Sequence, residues 1–354
     1  MAATIGDIAP EALTRFRRGT VIPAHPLALT AQRKLDPRRQ RALTRYYIDA
    51  GAGGLAVGVH TTQFEIREAG LYEPVLALAA ETAADWIKTP LFLIAGVAGR
   101  TEQALVEAKI AASLGYHAVL LSLAAFKGAD EDEIVAHCAA VAKVMPLVGF
   151  YLQPAVGGVL LPFSFWRRFA EIENVVGIKM APFDRYRTLD VVRGVVAAGA
   201  EDRIALYTGN DDNIVADLLS PYRLIRDDNP VDIRIRGGLL GHWSVWVHSV
   251  VTLLDRIHAA VEADDASQEL LTLASQITDC NAAFFDVAND FRGCIAGMHE
   301  VLHRQGLLEG IWCLDPDETL SPGQAEEIAR VCRDYPHLND DAFVASNLER
   351  WMSA

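Results

Sequence analysis

Residues 91–123, LFLIAGVAGRTEQALVEAKIAASLGYHAVLLSL, begin and end with a short apolar run rich in β-forming residues. The segment between the two runs, RTEQALVEAKIAASLG, has the composition of a helix and ends at a glycine. Continuous apolar runs are typical of strands buried on both faces, as in a parallel sheet covered by helices. The stretch therefore predicts a strand, a helix and a second strand of an α/β fold.

The same alternation recurs along most of the chain. The apolar runs are TVIPAH at 20, GGLAVGV at 53, LFLIAGV at 91, HAVLLSL at 117, LVGFYL at 147, VVGIKM at 175, IALYTG at 204 and IRGGLLG at 235. These eight strands predict a (β/α)8 TIM barrel, since an open doubly wound sheet usually has roughly five or six. The dinucleotide-like GAGGLA at 51–56 follows a helix and opens a strand, the reverse of the order that a nucleotide fingerprint needs.

Three regions follow from this order of elements. Residues 1–18 are predicted to form an N-terminal extension, residues 19–261 the barrel, and residues 262–354 a C-terminal region of additional helices. The segment 220–238 is predicted to be a long connection before the eighth strand.

Composition favours small-molecule ligands. The formal net charge of −14 works against binding to nucleic acid backbones. No run approaches the roughly 18 apolar residues of a membrane span, and the N-terminus lacks the apolar centre of a secretion signal, so we expect a cytoplasmic protein without a membrane partner. The five cysteines are scattered and lack CxxC spacing, which predicts neither disulfides nor a zinc site.

One lysine interrupts the apolar stretch NVVGIKMAPFD at 174–184. Burial favours the neutral amine, which makes Lys179 a candidate Schiff-base nucleophile, although a strand-end lysine can also reach water along its apolar stem. Strand alternation predicts that Gly177 and Lys179 face the barrel interior, together with Gly149 and Tyr151 of LVGFYL. Tyr151 would then be a proton shuttle or a core residue with a hydrogen-bonded hydroxyl.

These residues resemble the dihydrodipicolinate synthase and N-acetylneuraminate lyase family of class I, pyruvate-dependent aldolases. The resemblance rests on Tyr151 with Pro154 and on GIK ending in Lys179, 28 residues after Tyr151, and it extends from about Gly19 to about His299 through GGLAVG, AGV and YTGNDD. It implies that Lys179 is the Schiff-base lysine and Tyr151 the proton relay. It also implies that no cofactor is needed and that the chain forms a homo-oligomer, a dimer or a tetramer.

The resemblance further implies that the substrate carboxylate is held after the second strand. The matching positions are His60 and Thr61, followed by Thr62, and the Gly209 turn is assigned to substrate binding in the same way. Thr61 keeps the family's hydroxyl residue, whereas His60 replaces one and could instead contact the distal half of the substrate. A loop whose threonines cap turn amides is the alternative for VHTTQ.

Three departures from the family pattern disfavour the lysine-biosynthesis synthase. Val156 stands where the synthases carry a cation, Ala124 and Ala125 stand where they carry a second relay tyrosine, and Leu152 replaces a common asparagine. We therefore expect poor use of aspartate semialdehyde and better use of a neutral, hydroxylated aldehyde, with His60 available to bond a hydroxyl.

The sequence thus predicts a Schiff-base-forming aldolase, lyase or dehydratase that acts on pyruvate or a 2-oxo-3-deoxy acid and on a small aldehyde. One alternative is a catalytically altered member that binds a metabolite as a regulatory or structural protein. Another is a metal-dependent barrel enzyme, but no HxH or HExxH spacing supports a metal. In GNDDN, at 209–213, Asp211 and Asp212 are interpreted as helix caps rather than as metal ligands.

Overall fold

The computed structural model describes residues 3–86 and 89–353, so the ends of the predicted terminal regions, residues 1, 2 and 354, lie outside it. The strands are β1 (Val21–Pro23), β2 (Gly54–Val57), β3 (Phe92–Val97), β4 (Ala118–Leu121), β5 (Leu147–Leu152), β6 (Val175–Ala181), β7 (Ala205–Thr208), β8 (Pro221–Arg226) and β9 (Asn229–Leu240). The helices are α1 (Pro10–Arg18), α2 (Pro37–Asp49), α3 (Tyr72–Trp86), α4 (Thr101–Ser113), α5 (Glu131–Ala142), α6 (Phe163–Ala170), α7 (Arg185–Ala197), α8 (Ile214–Leu219), α9 (Val247–Glu262), α10 (Gln268–Phe284), α11 (Cys294–Arg304), α12 (Gln324–Asp334) and α13 (Asp341–Trp351).

Eight parallel strands form the predicted barrel. Their order is β1, β9, β7, β6, β5, β4, β3, β2, and a parallel bridge between Ala24 and Ala56 brings the two ends of the sheet together. The eighth strand is the second half of β9, which pairs with β7 on one side and β1 on the other. The (β/α)8 TIM barrel with additional C-terminal helices is therefore confirmed.

The segment 220–238 is a β-hairpin, so its prediction as a long connection was wrong. Strand β8 pairs antiparallel with the first half of β9, from Pro221 opposite Arg234 to Arg226 opposite Asn229. Side chains of β8 alternate between exposed and partly buried, with Tyr222 and Leu224 packed against the core. This alternation is the pattern of a strand with one covered face, and it continues the β9 strand beyond the barrel.

The core has two layers. Side chains inside the barrel form one cluster, and side chains between the strands and the surrounding helices form the other. Phe16 of α1 closes the N-terminal end of the barrel, where its ring stacks on Phe92 at 4.2 Å and on Tyr207 at 4.7 Å between centroids. The open, functional end is therefore the C-terminal end of the strands.

The strand β5 faces the opposite way from the prediction. Val148, Phe150 and Leu152 point into the barrel, whereas Tyr151 packs in the outer layer against Trp166 of α6, with ring centroids 5.3 Å apart. A register shift follows the first pair of β5 and β6, so that Phe150 lies opposite Lys179 and Tyr151 opposite Met180.

Strand β6 follows the predicted phase only in part. Lys179 faces inward and Ile178 and Met180 face the helices as predicted, but Val176 lies inside the barrel. The register shift marks a β-bulge in which Val176 is the extra residue of β6. One extra residue reverses the alternation of side chains on one side of the bulge, which explains the difference.

The last helix, α13, packs on the outside of the barrel against α2. The buried indole of Trp351 donates to Asp49 at 2.6 Å, and the Tyr46 hydroxyl donates to Asp340 at 2.7 Å. The proposed boundaries remain predictions, with α1 ending at Arg18 and α9 at Glu262. In the described ranges no helix is long and apolar enough to cross a membrane.

Candidate active site

A narrow cavity opens at the C-terminal end of the barrel, where TIM-barrel sites are built. Its polar lining residues come from the β2, β5, β6 and β7 ends of the barrel. The lining comprises Ala24, Val59, His60, Thr61, Phe150, Leu152, Gln153, Val156, Lys179, Ala181, Phe183, Gly209, Asp211, Gly241, Phe285, Phe291 and Cys294.

Lys179 is the central basic group of this cavity. Its side chain is only 7% exposed, and Nζ lies 4.5 Å from the ring centroid of Phe150. Burial lowers the pKa of Lys179, and the negative charge of Asp211 partly opposes that effect. The neutral, nucleophilic amine is therefore favoured near neutral pH more than in an exposed lysine.

Gly209 leaves the space that Lys179 occupies. A Cβ at this position would lie 2.7 Å from Lys179 Cε and 2.9 Å from Ala181 Cβ, both closer than real contacts allow. The Gly209 amide also donates to the Met180 carbonyl at 2.6 Å, which holds the turn after β7 against β6. Gly209 lines the cavity, and its predicted role in substrate binding stays a prediction.

The turn after β7 presents Asp211 to the cavity. Asn210 is fully buried, donates to Thr188 and Asp217, and accepts from the Phe183 amide at 3.0 Å. The Asp211 carboxylate is not a helix cap as the sequence indicated, because Oδ1 accepts from the His242 amide at 2.9 Å. This bond aims a buried carboxylate at the same cavity as Lys179.

Asp211 and Lys179 form an interacting pair. Burial raises the pKa of Asp211, while the His242 amide and the positive charge of Lys179 oppose the rise. The pKa values of the two groups therefore approach each other near neutral pH, so that either group can hold a shared proton. This is the arrangement expected of an acid and base that exchange protons during a reaction.

His60 and Thr61 lie on the opposite wall, in a short 3-10 turn that follows β2. Burial and, to a smaller extent, the positive charge of Lys179 lower the pKa of His60 to about 4, so the imidazole is neutral at pH 7. The Thr61 hydroxyl donates to the Ala24 carbonyl at 2.8 Å. In the described part of the chain the His60 and Thr61 amides donate to no other group, so both can face an anion.

Thr62 does not line the cavity, contrary to its predicted substrate-binding position. Its hydroxyl donates to the His25 carbonyl at 2.7 Å and accepts from the Gly58 and Val59 amides. It therefore shapes the turn that carries His60 and Thr61. The predicted alternative for VHTTQ, a turn whose threonine satisfies backbone amides, describes Thr62 correctly.

Val156 lines the cavity, at the position where the sequence analysis noted the absence of a cation. Within residues 3–86 and 89–353, Lys179 is the only lysine or arginine in the lining. The arginines of the 220–238 hairpin lie elsewhere: Arg234 and Arg236 lie near α1, Arg223 pairs with Asp232, and Arg226 pairs with Glu201. A second carboxylate on a bound substrate would therefore be buried without a paired charge.

Tyr151 is outside the cavity, which overturns its predicted position beside Lys179. Its ring is fully buried, and its hydroxyl accepts a hydrogen bond from the Leu161 amide at 3.2 Å. The alternative that the sequence left open, a core tyrosine with a backbone partner, describes this geometry. This position does not support the predicted proton-relay role of Tyr151.

We expect Tyr151→Phe to keep turnover within about threefold of the parent and to lower the free energy of unfolding by about 1 kcal/mol, since one hydrogen bond to a buried amide is lost. Steady-state kinetics and urea denaturation measure the two effects. A loss of turnover of about 100-fold with unchanged stability would restore the shuttle role.

Several lining residues were missed by the sequence analysis. Phe285, Phe291 and Cys294 come from the C-terminal region, about 100 residues after Lys179, and no local pattern marks them as site residues. Asp211 was singled out in GNDDN but interpreted as a cap. The sequence feature that could have identified Asp211 as a site residue is the pair of adjacent acids directly after a barrel strand, because side chains at that point reach the functional end of the barrel.

The described residues contain no group of three or more His, Cys, Asp or Glu side chains that could hold a metal ion. The cysteines are free, and burial raises the pKa of Cys294, so its thiol is neutral.

Comparisons with known proteins identify a family and a shared fold. A sequence model of the "Dihydrodipicolinate synthetase family" matches residues 18–221. The chain is 27% identical over 211 residues to 4-hydroxy-tetrahydrodipicolinate synthase of Mycolicibacterium paratuberculosis, covering 59% of this chain and 65% of that protein. It is 29% identical over 204 residues to N-acetylneuraminate lyase of Citrobacter koseri, covering 56% and 65%.

The match thus spans about two thirds of the length of these curated relatives. Among solved structures, dihydrodipicolinate synthase of Acinetobacter baumannii superposes with a TM-score of 0.73 at 21% identity, covering 90% of this chain and 99% of that chain. This structural likeness supports the fold.

Proposed function

Because the chain belongs to the dihydrodipicolinate synthetase family, we propose that it is a lyase of the class I aldolase type that forms a Schiff base between Lys179 and pyruvate or a related 2-oxo acid. The observation that carries the proposal is a buried lysine with a lowered pKa at the functional end of the barrel. No cofactor is required for this chemistry.

The first step uses the neutral amine of Lys179. Its nitrogen attacks the ketone carbon of the 2-oxo acid, the ketone oxygen takes up protons and leaves as water, and an iminium remains. The iminium withdraws electrons from the neighbouring carbon. Loss of a proton there gives an enamine that can add to an aldehyde, and the reverse sequence cleaves a carbon–carbon bond. Dehydration of a 2-oxo-3-deoxy acid is possible from the same iminium.

Asp211 is our candidate for the acid and base. In its protonated form it can deliver a proton to the departing ketone oxygen and to the aldehyde oxygen as the new bond forms. As a carboxylate it can accept those protons in the cleavage direction. The raised pKa of Asp211 supports this role, because both forms are then accessible near neutral pH.

The carboxylate of the 2-oxo acid is proposed to bind at the turn after β2. The free amides of His60 and Thr61 offer two donors, and the neutral His60 ring can add a third. The Thr61 hydroxyl needs to turn away from the Ala24 carbonyl before it can donate to the substrate.

The lysine-biosynthesis synthase is not the activity we favour. Val156 is apolar, and the described lining has no cation besides Lys179. The carboxylate of aspartate semialdehyde would therefore have no charged partner, which disfavours this substrate. A homo-oligomer, dimer or tetramer, and a cytoplasmic location remain predictions.

A catalytically altered, metabolite-binding member is the second candidate. The outward position of Tyr151 favours it, since the residue predicted to move protons is missing from the cavity. Retention of Lys179 and the presence of Asp211 favour an enzyme.

Borohydride trapping tests the proposal. Incubation with pyruvate and borohydride should add one reduced pyruvate to the intact mass, and peptide mapping should place it on Lys179. Turnover would then separate the enzyme from a binding protein. Absence of any adduct with pyruvate and a panel of 2-oxo acids would contradict the proposed function.

A further inference from the structure

An aromatic wall covers one side of the cavity. Phe183 follows β6, whereas Phe285 and Phe291 lie between α10 and α11. The rings of Phe183 and Phe291 meet edge to face, with centroids 6.0 Å apart. Phe285 lies close to Gly241, where an added Cβ would come within 2.7 Å of its ring, so this wall is packed against the β9 end of the barrel.

The wall is held in place by its backbone. Phe183 and Phe291 both adopt left-handed conformations, with φ of 53° and 63°, which are unfavourable for bulky residues. The Phe183 amide donates to Asn210, and the Phe291 amide donates to the Asp286 carbonyl at 3.1 Å.

Asp286 is itself buried and fixed. Its carboxylate accepts from the Gly293 amide at 3.0 Å and from the Asn289 side chain at 2.6 Å. Hydrogen bonds to Asp286 therefore fix the loop on both sides of Phe291. Unfavourable backbone conformations of this kind occur where the surrounding structure holds side chains at functional positions.

Polar groups in the described lining are few and are assigned to the reacting end. Lys179 and Asp211 serve the carbonyl chemistry, and His60 and Thr61 face the carboxylate. Gln153 is the remaining polar side chain. A polyhydroxylated or charged distal group would leave several polar atoms unpaired against phenyl rings.

We propose that the aldehyde half of the substrate carries an apolar group, an aromatic ring in preference to an aliphatic chain, which packs among Phe183, Phe285 and Phe291. This inference rests on the proposed function and replaces the expectation of a hydroxylated aldehyde. In the condensation, a bond forms between the enamine carbon of pyruvate and the aldehyde carbon, the aldehyde oxygen gains a proton, and water releases the 4-hydroxy-2-oxo acid from Lys179.

The test measures specificity constants for addition of pyruvate to four aldehydes: benzaldehyde, 3-methylbutanal, glyceraldehyde and aspartate semialdehyde. We expect the constant for benzaldehyde to exceed those for the hydroxylated and the carboxylated aldehyde by at least about 10-fold, the scale on which an apolar pocket discriminates. The value for 3-methylbutanal should fall between them.

Phe291→Gly removes one ring of the wall and suits the positive φ of that position. It should lower the constant for benzaldehyde about 10-fold and that for glyceraldehyde by less than about twofold, while pyruvate is still trapped on Lys179. Tyr186→Ala is the matched control, because Tyr186 is 84% exposed and lies outside the cavity.

A preference of the parent protein for glyceraldehyde or aspartate semialdehyde over both apolar aldehydes would overturn the inference, whatever the variant does. That result is distinct from failure of the proposed function, which would show as absence of a trapped adduct with pyruvate itself.

Discussion

Replacement of Lys179 by methionine is expected to eliminate the borohydride-trapped adduct and to lower turnover by at least about 1,000-fold. Methionine keeps an unbranched stem beside Phe150 and Gly209 but has no nitrogen to attack a ketone. The effect should be on chemistry and not on folding, because the substitution removes a buried polar group. Intact mass after trapping and single-turnover kinetics measure the two quantities.

Lys109→Met is the control for this experiment. Lys109 lies on the exposed face of α4, so its loss should change neither trapping nor turnover. If the Lys179 variant still gains the mass of a reduced pyruvate, the Schiff base forms at another amine and the assignment is wrong.

Substitution of Asp211 by asparagine should lower aldol turnover roughly 100-fold, the usual scale of a lost general acid and base. An asparagine oxygen can still accept from the His242 amide, so the turn should keep its geometry. Pyruvate should still be trapped on Lys179, but more slowly, because the amine nucleophile is kept while the departing ketone oxygen must take its proton from water. A loss of turnover with retained trapping would separate proton transfer from nucleophilic attack.

The pH dependence of trapping gives a second readout for the same variant. The Asp211 charge raises the pKa of Lys179, against the larger effect of burial. Removal of that charge should lower the Lys179 pKa further, so the neutral amine persists to lower pH and the acidic limb of trapping moves down. A purely structural role for Asp211 would not move this limb in that direction.

Asp212→Asn is the matched control for Asp211. Asp212 is the adjacent acid, its side chain is 41% exposed, and it lies 3.5 Å from Arg185 and outside the cavity lining. Equal losses in the two variants would contradict a specific role for Asp211.

The barrel itself could be predicted from the sequence because its signal is local. Each strand is a short run buried on both faces, and each helix has its own composition and end signals, so the alternation is visible without any long-range information. The inward position of Lys179 followed from the same short-range periodicity within β6. The extra strand β8 was missed because only one of its faces is covered.

Tertiary structure decided which neighbours share the site with Lys179. Tyr151 faces the helices because β5 alternates in the phase opposite to the predicted one, and an apolar run buried on both faces does not indicate which phase is adopted. Asp211 enters the cavity because the His242 amide, 31 residues later, holds its carboxylate. Phe285 and Phe291 reach it only because the C-terminal helices pack back on the barrel. Periodicity within a segment therefore determined the fold and the lysine, whereas contacts between segments, which periodicity does not encode, determined the acid–base partner and the shape of the cavity.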